Sequence, residues 1–96
     1  MMRKLTYIRE HEIEKHLYDR CKERGWWAAK WKPTSKRGVP DRMILRDRGR
    51  IAFVELKAPG EEPEAHQLRR HAELRELGYE VVVLDTKEAV DRWVDA

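Results

Sequence analysis

Apolar side chains recur every four residues at Ile13, Leu17 and Cys21, with Tyr18 beside them. This spacing predicts a helix from about Ile8 to Arg24, with Gly25 as its stop. Glu10 and Glu14 fall in the same sector of the wheel as the apolar stripe, whereas Glu12, Lys15, Arg20 and Lys22 mostly point away. An acid on the buried face of a helix is costly unless it finds a partner. Met1–Tyr7, ahead of this helix, reads as a frayed or partner-contacting lead.

The period then changes from four to two. Trp26–Lys32 alternates as a strand, with Trp27, Ala29 and Trp31 on one face and Trp26, Ala28 and Lys30 on the other. Three tryptophans within six residues exceed what a small core needs, so one of them is a candidate platform for a base or a second subunit. Pro33–Pro40 is a loop of turn formers. Asp41–Arg46 and Ile51–Lys57 form two further strands across a turn at Asp47–Arg50. In the last of these, Ala52, Val54 and Leu56 take one side, while Ile51, Phe53, Glu55 and Lys57 take the other. Pro63–Leu77 follows as a helix, with Leu68, Ala72, Leu74 and Leu77 expected to make its apolar contacts and Gly78 to close it. Tyr79–Leu84 is a run of β-branched residues, which suggests a central buried strand. Asp85, with Glu88 three residues on, is expected to cap a short last helix facing inward through Val90, Trp93 and Val94.

The resulting order is α-β-β-β-α-β-α, an α/β fold whose mixed sheet is flanked by helices. At 96 residues the chain is one domain, 1–96, and its 41% hydrophobic content supports a single core. The charged fraction is also 41%, against roughly 25% in an average globular chain. Net charge is only +3, but between Lys30 and Arg50 the lysines and arginines greatly outnumber the acids Asp41 and Asp47. Such a block suits a polyanion, and Lys36-Arg37-Gly38 suits a phosphate. One cysteine, Cys21, permits neither an intrachain disulfide nor a zinc set. No apolar run reaches the roughly 18 residues of a membrane span, and no signal-peptide h-region opens the chain. A cytoplasmic protein with no membrane contact is expected.

Gly38-Val39-Pro40-Asp41 and Val54-Glu55-Leu56-Lys57 carry the chemistry. Residues i and i+2 of a strand share a face, so Glu55 and Lys57 project side by side at the end of an apolar face. Asp41 sits where the chain leaves a tight loop for the neighbouring strand. Two carboxylates on adjacent strands chelate a hard divalent cation that keeps most of its waters, and the backbone carbonyl of Leu56 adds a further ligand. Lys57 then orients a water or stabilises charge on phosphate oxygens. Glu10 or Glu14 would supply a third carboxylate. The four histidines, His11, His16, His66 and His71, show no metal-ligand spacing; His66 and His71 border Gln67 and could touch substrate, but surface positions are expected for them.

The set Asp41, Glu55 and Lys57 resembles the PD-(D/E)xK nuclease signature. The fuller string Gly38-Val39-Pro40-Asp41, Val54-Glu55-Leu56-Lys57-Ala58-Pro59 and Gln67 is similar to the VRR-NUC branch, in its short stand-alone form of phages and bacteria. The similarity runs from about Glu10 to Asp85. It implies a restriction-endonuclease-like core and Mg²⁺- or Mn²⁺-dependent hydrolysis of phosphodiesters. It also implies, in many members, a homodimer acting on branched DNA such as Holliday junctions or flaps. On this resemblance Asp41 and Glu55 match the metal-binding acids, Lys57 the catalytic lysine, and Gln67 a glutamine that steers metal, water or phosphate. Glu10-His11-Glu12-Ile13-Glu14 matches the leading helix, with Glu10 in the acid position and Glu14 one turn along the same face. Arg42 beside Asp41 departs from the pattern and should point to the opposite face. Lys30, Lys32, Lys36, Arg37 and Arg48 are the expected DNA contacts. A DNA-junction-binding or assembly module that keeps the fold without turnover is the competing reading, and an enzyme of the same fold acting on RNA or on a non-branched site is a third.

Overall fold

The computed structural model describes residues 9–96; the expected lead Met1–Tyr7 and the helix start at Ile8 lie outside them. Helix α1 spans Glu10–Glu23, followed by strands β1 (Trp27–Lys30), β2 (Arg42–Leu45) and β3 (Ile51–Leu56), helix α2 (Ala65–Glu76), strand β4 (Glu80–Leu84) and helix α3 (Lys87–Asp95). The α-β-β-β-α-β-α order is as the periodicity predicts. A short turn at Asp47–Gly49, with Arg48 in the left-handed region (φ 62°), joins β2 to β3.

The sheet runs β1-β2-β3-β4. The first two pairs are antiparallel, and β3 and β4 are parallel. β4 is therefore an edge strand, not the central one that its Val-Val-Val run suggests. The run is apolar because helices cover both faces of the sheet there, which imposes the same composition as a central position. α2 serves as the crossover that a parallel pair requires. Its C-terminus closes with Gly78 at φ 98°, Gly78 N–H donating to the Arg75 carbonyl (2.9 Å) and Tyr79 N–H to that of Leu74 (3.1 Å). This double bond pattern reverses the chain directly into β4.

One sheet face carries Ile44, Ala52, Val54, Leu56 and Leu84, which form a single core with Ile13, Leu17 and Cys21 of α1 and Val90 and Val94 of α3. On the other face Phe53 packs against Trp31 and Tyr79, with ring centroids 4.7 and 5.3 Å away. α2 lies over the β3–β4 side of this face and buries not its leucines but His71. Leu68 and Leu77 are 52% and 75% exposed. The inward stripe of α2 is instead Gln67, His71 and Leu74, at i, i+4 and i+7, because the strand surface beneath it carries Glu55. Trp27, at 71% exposed, is the tryptophan that stays outside the core. The last helix is capped by Thr86, whose Oγ1 accepts from Ala89 N–H at 2.9 Å, one residue later than the Asp85 expected.

Candidate active site

Asp41 directly follows the buried Pro40. Its own carbonyl accepts from Trp31 N–H (2.9 Å) and from Arg42 Nη1 (3.1 Å). With its main chain fixed on two sides, its carboxylate reaches across to β3, where Oδ2 accepts from Leu56 N–H at 3.0 Å. Arg42 lies on the far face, paired with Glu14 and near the Tyr18 ring. The cation next to the acid therefore spares the cluster.

Glu55 is 1% exposed. Oε2 accepts from Gln67 Nε2 and Oε1 lies against His71 Nε2, both at 3.2 Å. The Gln67 amide cannot flip freely, because its Oε1 already accepts from Glu64 N–H (2.8 Å) in the capping box of α2. Helix capping thus turns the NH₂ group toward Glu55. Burial, followed by the negative charge of Asp41, pushes the Glu55 carboxyl up to about 8, with Lys57 opposing. Burial and Arg75 hold the His71 imidazole below its ordinary value. A neutral ring protonated at Nε2 donates to Glu55 and leaves Nδ1, which has no partner among the described residues, as a bare acceptor.

Of the two helix acids, Glu10 is the one coupled electrostatically to this cluster. Its carboxyl is raised by burial and then by Asp41, with Lys57 opposing. Glu14 is occupied by Arg42. Among the described residues no three His, Cys, Asp or Glu side chains converge closely enough to enclose a metal ion. The donors on hand are two carboxylates and one main-chain carbonyl. In extended chain the N–H and C=O of one residue point to the same side, and Leu56 N–H faces Asp41, so its carbonyl does too. This all-oxygen, incomplete set fits a hard cation that retains waters.

A family model search gives no match to the chain. A phage protein described as "Putative nuclease p44", from Acyrthosiphon pisum secondary endosymbiont phage 1, is 49% identical over 84 residues, covering 88% of this chain and 90% of that protein. A solved structure titled "VRR_NUC domain" superposes with a TM-score of 0.84 at 31% identity, covering 90% of this chain and 94% of the other. The chain belongs to the VRR-NUC family. The mixed four-stranded sheet with flanking helices is the restriction-endonuclease-like fold of VRR-NUC domains.

Placed on this VRR-NUC fold, the expected DNA contacts separate. Lys30, Lys32, Lys36 and Arg37 are exposed on the end of β1 and the loop that leads to Asp41. Arg48 sits on the β2–β3 turn, at the opposite end of the hairpin from Asp41 and Glu55. The structure does not bring it to the cluster; at about 3.3 Å per strand residue it is remote. His71 is the residue that sequence reasoning misplaced: it is fully buried against Glu55, not on the surface. The signal was its position four residues after Gln67, which puts both on one helix face. No helix among the described residues is long and apolar enough to cross a membrane.

Proposed function

We propose that the protein is a metal-dependent endonuclease that hydrolyses DNA phosphodiester bonds at branched structures, four-way junctions or flaps, and acts as a homodimer. The observation that carries the reading is Glu55, a buried carboxyl gripped by Gln67 and His71 and facing an Asp41 that is pinned by Leu56 N–H. A structural ion pair needs none of these supports. The naming of the 49%-identical phage relative as a nuclease adds to it.

Asp41, Glu55 and the Leu56 carbonyl would hold Mg²⁺ or Mn²⁺. When bound, the cation supplies positive charge to phosphate oxygens and acidifies a water. Glu55 would give up its proton to take the cation up, and its buried position excludes bulk solvent from one side. Lys57, two residues along the same strand face, places its ammonium to orient the attacking water and offset charge gathering on the phosphorus oxygens. Gln67 and His71 hold Glu55 in one rotamer. Glu10 lends its carboxylate at the open side, for water. Lys30, Lys32, Lys36 and Arg37 grip backbone phosphates, with Arg48 as a distant contact. Products carry 5′-phosphate and 3′-hydroxyl ends. A four-way junction is cut symmetrically only by two sites related by a two-fold axis, hence the dimer.

The substrate is tested on a panel of labelled four-way junctions, flaps, plain duplex and structured RNA with Mg²⁺ or Mn²⁺. Branched DNA is expected to be cut preferentially. Equal cutting of plain duplex would remove the structural selectivity. Junction binding that is steeply salt-dependent but never followed by cleavage would favour a binding module.

A further inference from the structure

A second feature lies one helical stripe away from the carboxylates. His66, Arg69 and Arg70 stand at i, i+3 and i+4 on α2, so they share a face, next to the stripe of Gln67 and His71 that holds Glu55. The loop before Asp41 closes against them, and together with Arg37 they line an open pocket of about 320 Å³. The loop is pinned there in two ways. Arg70 Nε donates to the Arg37 carbonyl at 3.0 Å. Gly38, at φ +81°, lies so close to α2 that a Cβ would stand 2.8 Å from His66 Cδ2 and 2.9 Å from the His66 carbonyl oxygen. Only glycine fits, and the result is that Arg37 is delivered beside His66 and Arg69.

The charges do not balance locally. Arg70 is neutralised by both oxygens of Glu73, at 3.0 Å each. His66 has only Glu64, 3.8 Å away. Arg37 and Arg69 have no carboxylate partner among the described residues, and no acid stands in the lining of the pocket. Guanidinium groups gathered around a pocket with no acid in its lining repel one another. They suit a doubly hydrogen-bonded oxyanion.

We propose that the pocket of Arg37, His66, Arg69 and Arg70 is a phosphate subsite that holds a phosphodiester of the DNA strand next to, but outside, the hydrolytic centre. This rests on the endonuclease reading above and adds a fixed second point to it. His66 and Gln67 are consecutive, so a strand seated in the pocket runs on toward Asp41 and Glu55. Two anchored phosphates set which linkage lies over the carboxylates.

The test is binding of a fluorescent four-way junction, read by anisotropy across a salt series with Ca²⁺ as the divalent ion. Wild type is compared with the double variant Arg37→Gln/Arg69→Gln, with its Lys/Lys counterpart, and with Arg92→Gln on α3 as a distant control. The Gln pair is expected to weaken binding about tenfold and to lower the slope of log K against log salt by about one, with Arg92→Gln unchanged. The Lys pair should restore most of the slope. A methylphosphonate at one linkage beside the scissile bond should weaken wild type and leave the Gln pair indifferent. Wild-type affinity and slope in the Gln pair, with cleavage intact, would overturn the subsite while leaving the endonuclease standing. A wild type that neither binds nor cuts junctions would overturn both.

Discussion

Glu55 is the fifth residue of β3 and only 1% exposed. Its place at the end of an apolar strand face buries it, and burial beside Asp41 pushes its carboxyl up to about 8. The unfolded chain carries an ordinary glutamate near 4.3, so the folded protein holds this proton more tightly. The contribution of this group is therefore fully present below about pH 4.3 and is lost as pH rises through about 8. The depressed carboxyls of Asp47, Glu80, Asp91 and Asp95 act in the opposite sense and only on the acid side. The His71 imidazole, held below its ordinary value by burial and Arg75, acts on the acid side as well. In chelator the melting temperature should thus fall between pH 7 and 9 in wild type more than in Glu55→Gln. Mn²⁺ should recover it in wild type alone. Parallel pH profiles for the two proteins in chelator would show that Glu55 does not hold its proton. At the same scale, His71→Ala removes a buried hydrogen-bond partner of Glu55 and should cost about 1–3 kcal/mol in denaturant melts. His71→Gln should recover part of the loss.

The elements were legible to different depths. α1 and the β2–β3 hairpin carry clean periods of four and two, and their core residues, Ile13, Leu17, Cys21, Ile44, Val54 and Leu56, are all buried. α2 was legible as a helix but not in its orientation. Leu68 and Leu77 pull a hydrophobicity reading to one side, while the buried face is polar because it serves Glu55. β4 misled in another way: composition reports how many faces are covered, not how many neighbours a strand has. The approach of Asp41 to the β3 strand that carries Glu55 could be read from spacing. The basic pocket could not, because Arg69 and Arg37 are brought together only by the packing of Gly38 on α2. The orientation of α2 is checked by Leu68→Ala, expected to change stability by less than about 0.5 kcal/mol. Leu17→Ala should cost about 2–5 kcal/mol. Similar losses for both would contradict the face assigned to α2. Gly38→Ala should unseat the loop and reduce junction binding along with cleavage.

At the scale of the whole molecule, a 96-residue chain would cover few base pairs, and it exposes Trp27, Leu68, Leu77 and Tyr79. A homodimer should appear as a doubled mass in sedimentation at micromolar concentration, and cleavage by a protein that sediments only as a monomer would contradict it. Everything else in the account depends on one claim, that Asp41, Glu55 and Lys57 form a hydrolytic centre. It is tested most directly by time courses of Mn²⁺-dependent cleavage of a labelled four-way junction by wild type, Asp41→Asn and Lys57→Ala, with folding verified by circular dichroism. Each variant is expected to bind the junction but to cut at least about 100-fold more slowly. Cleavage by either variant at the wild-type rate would contradict it.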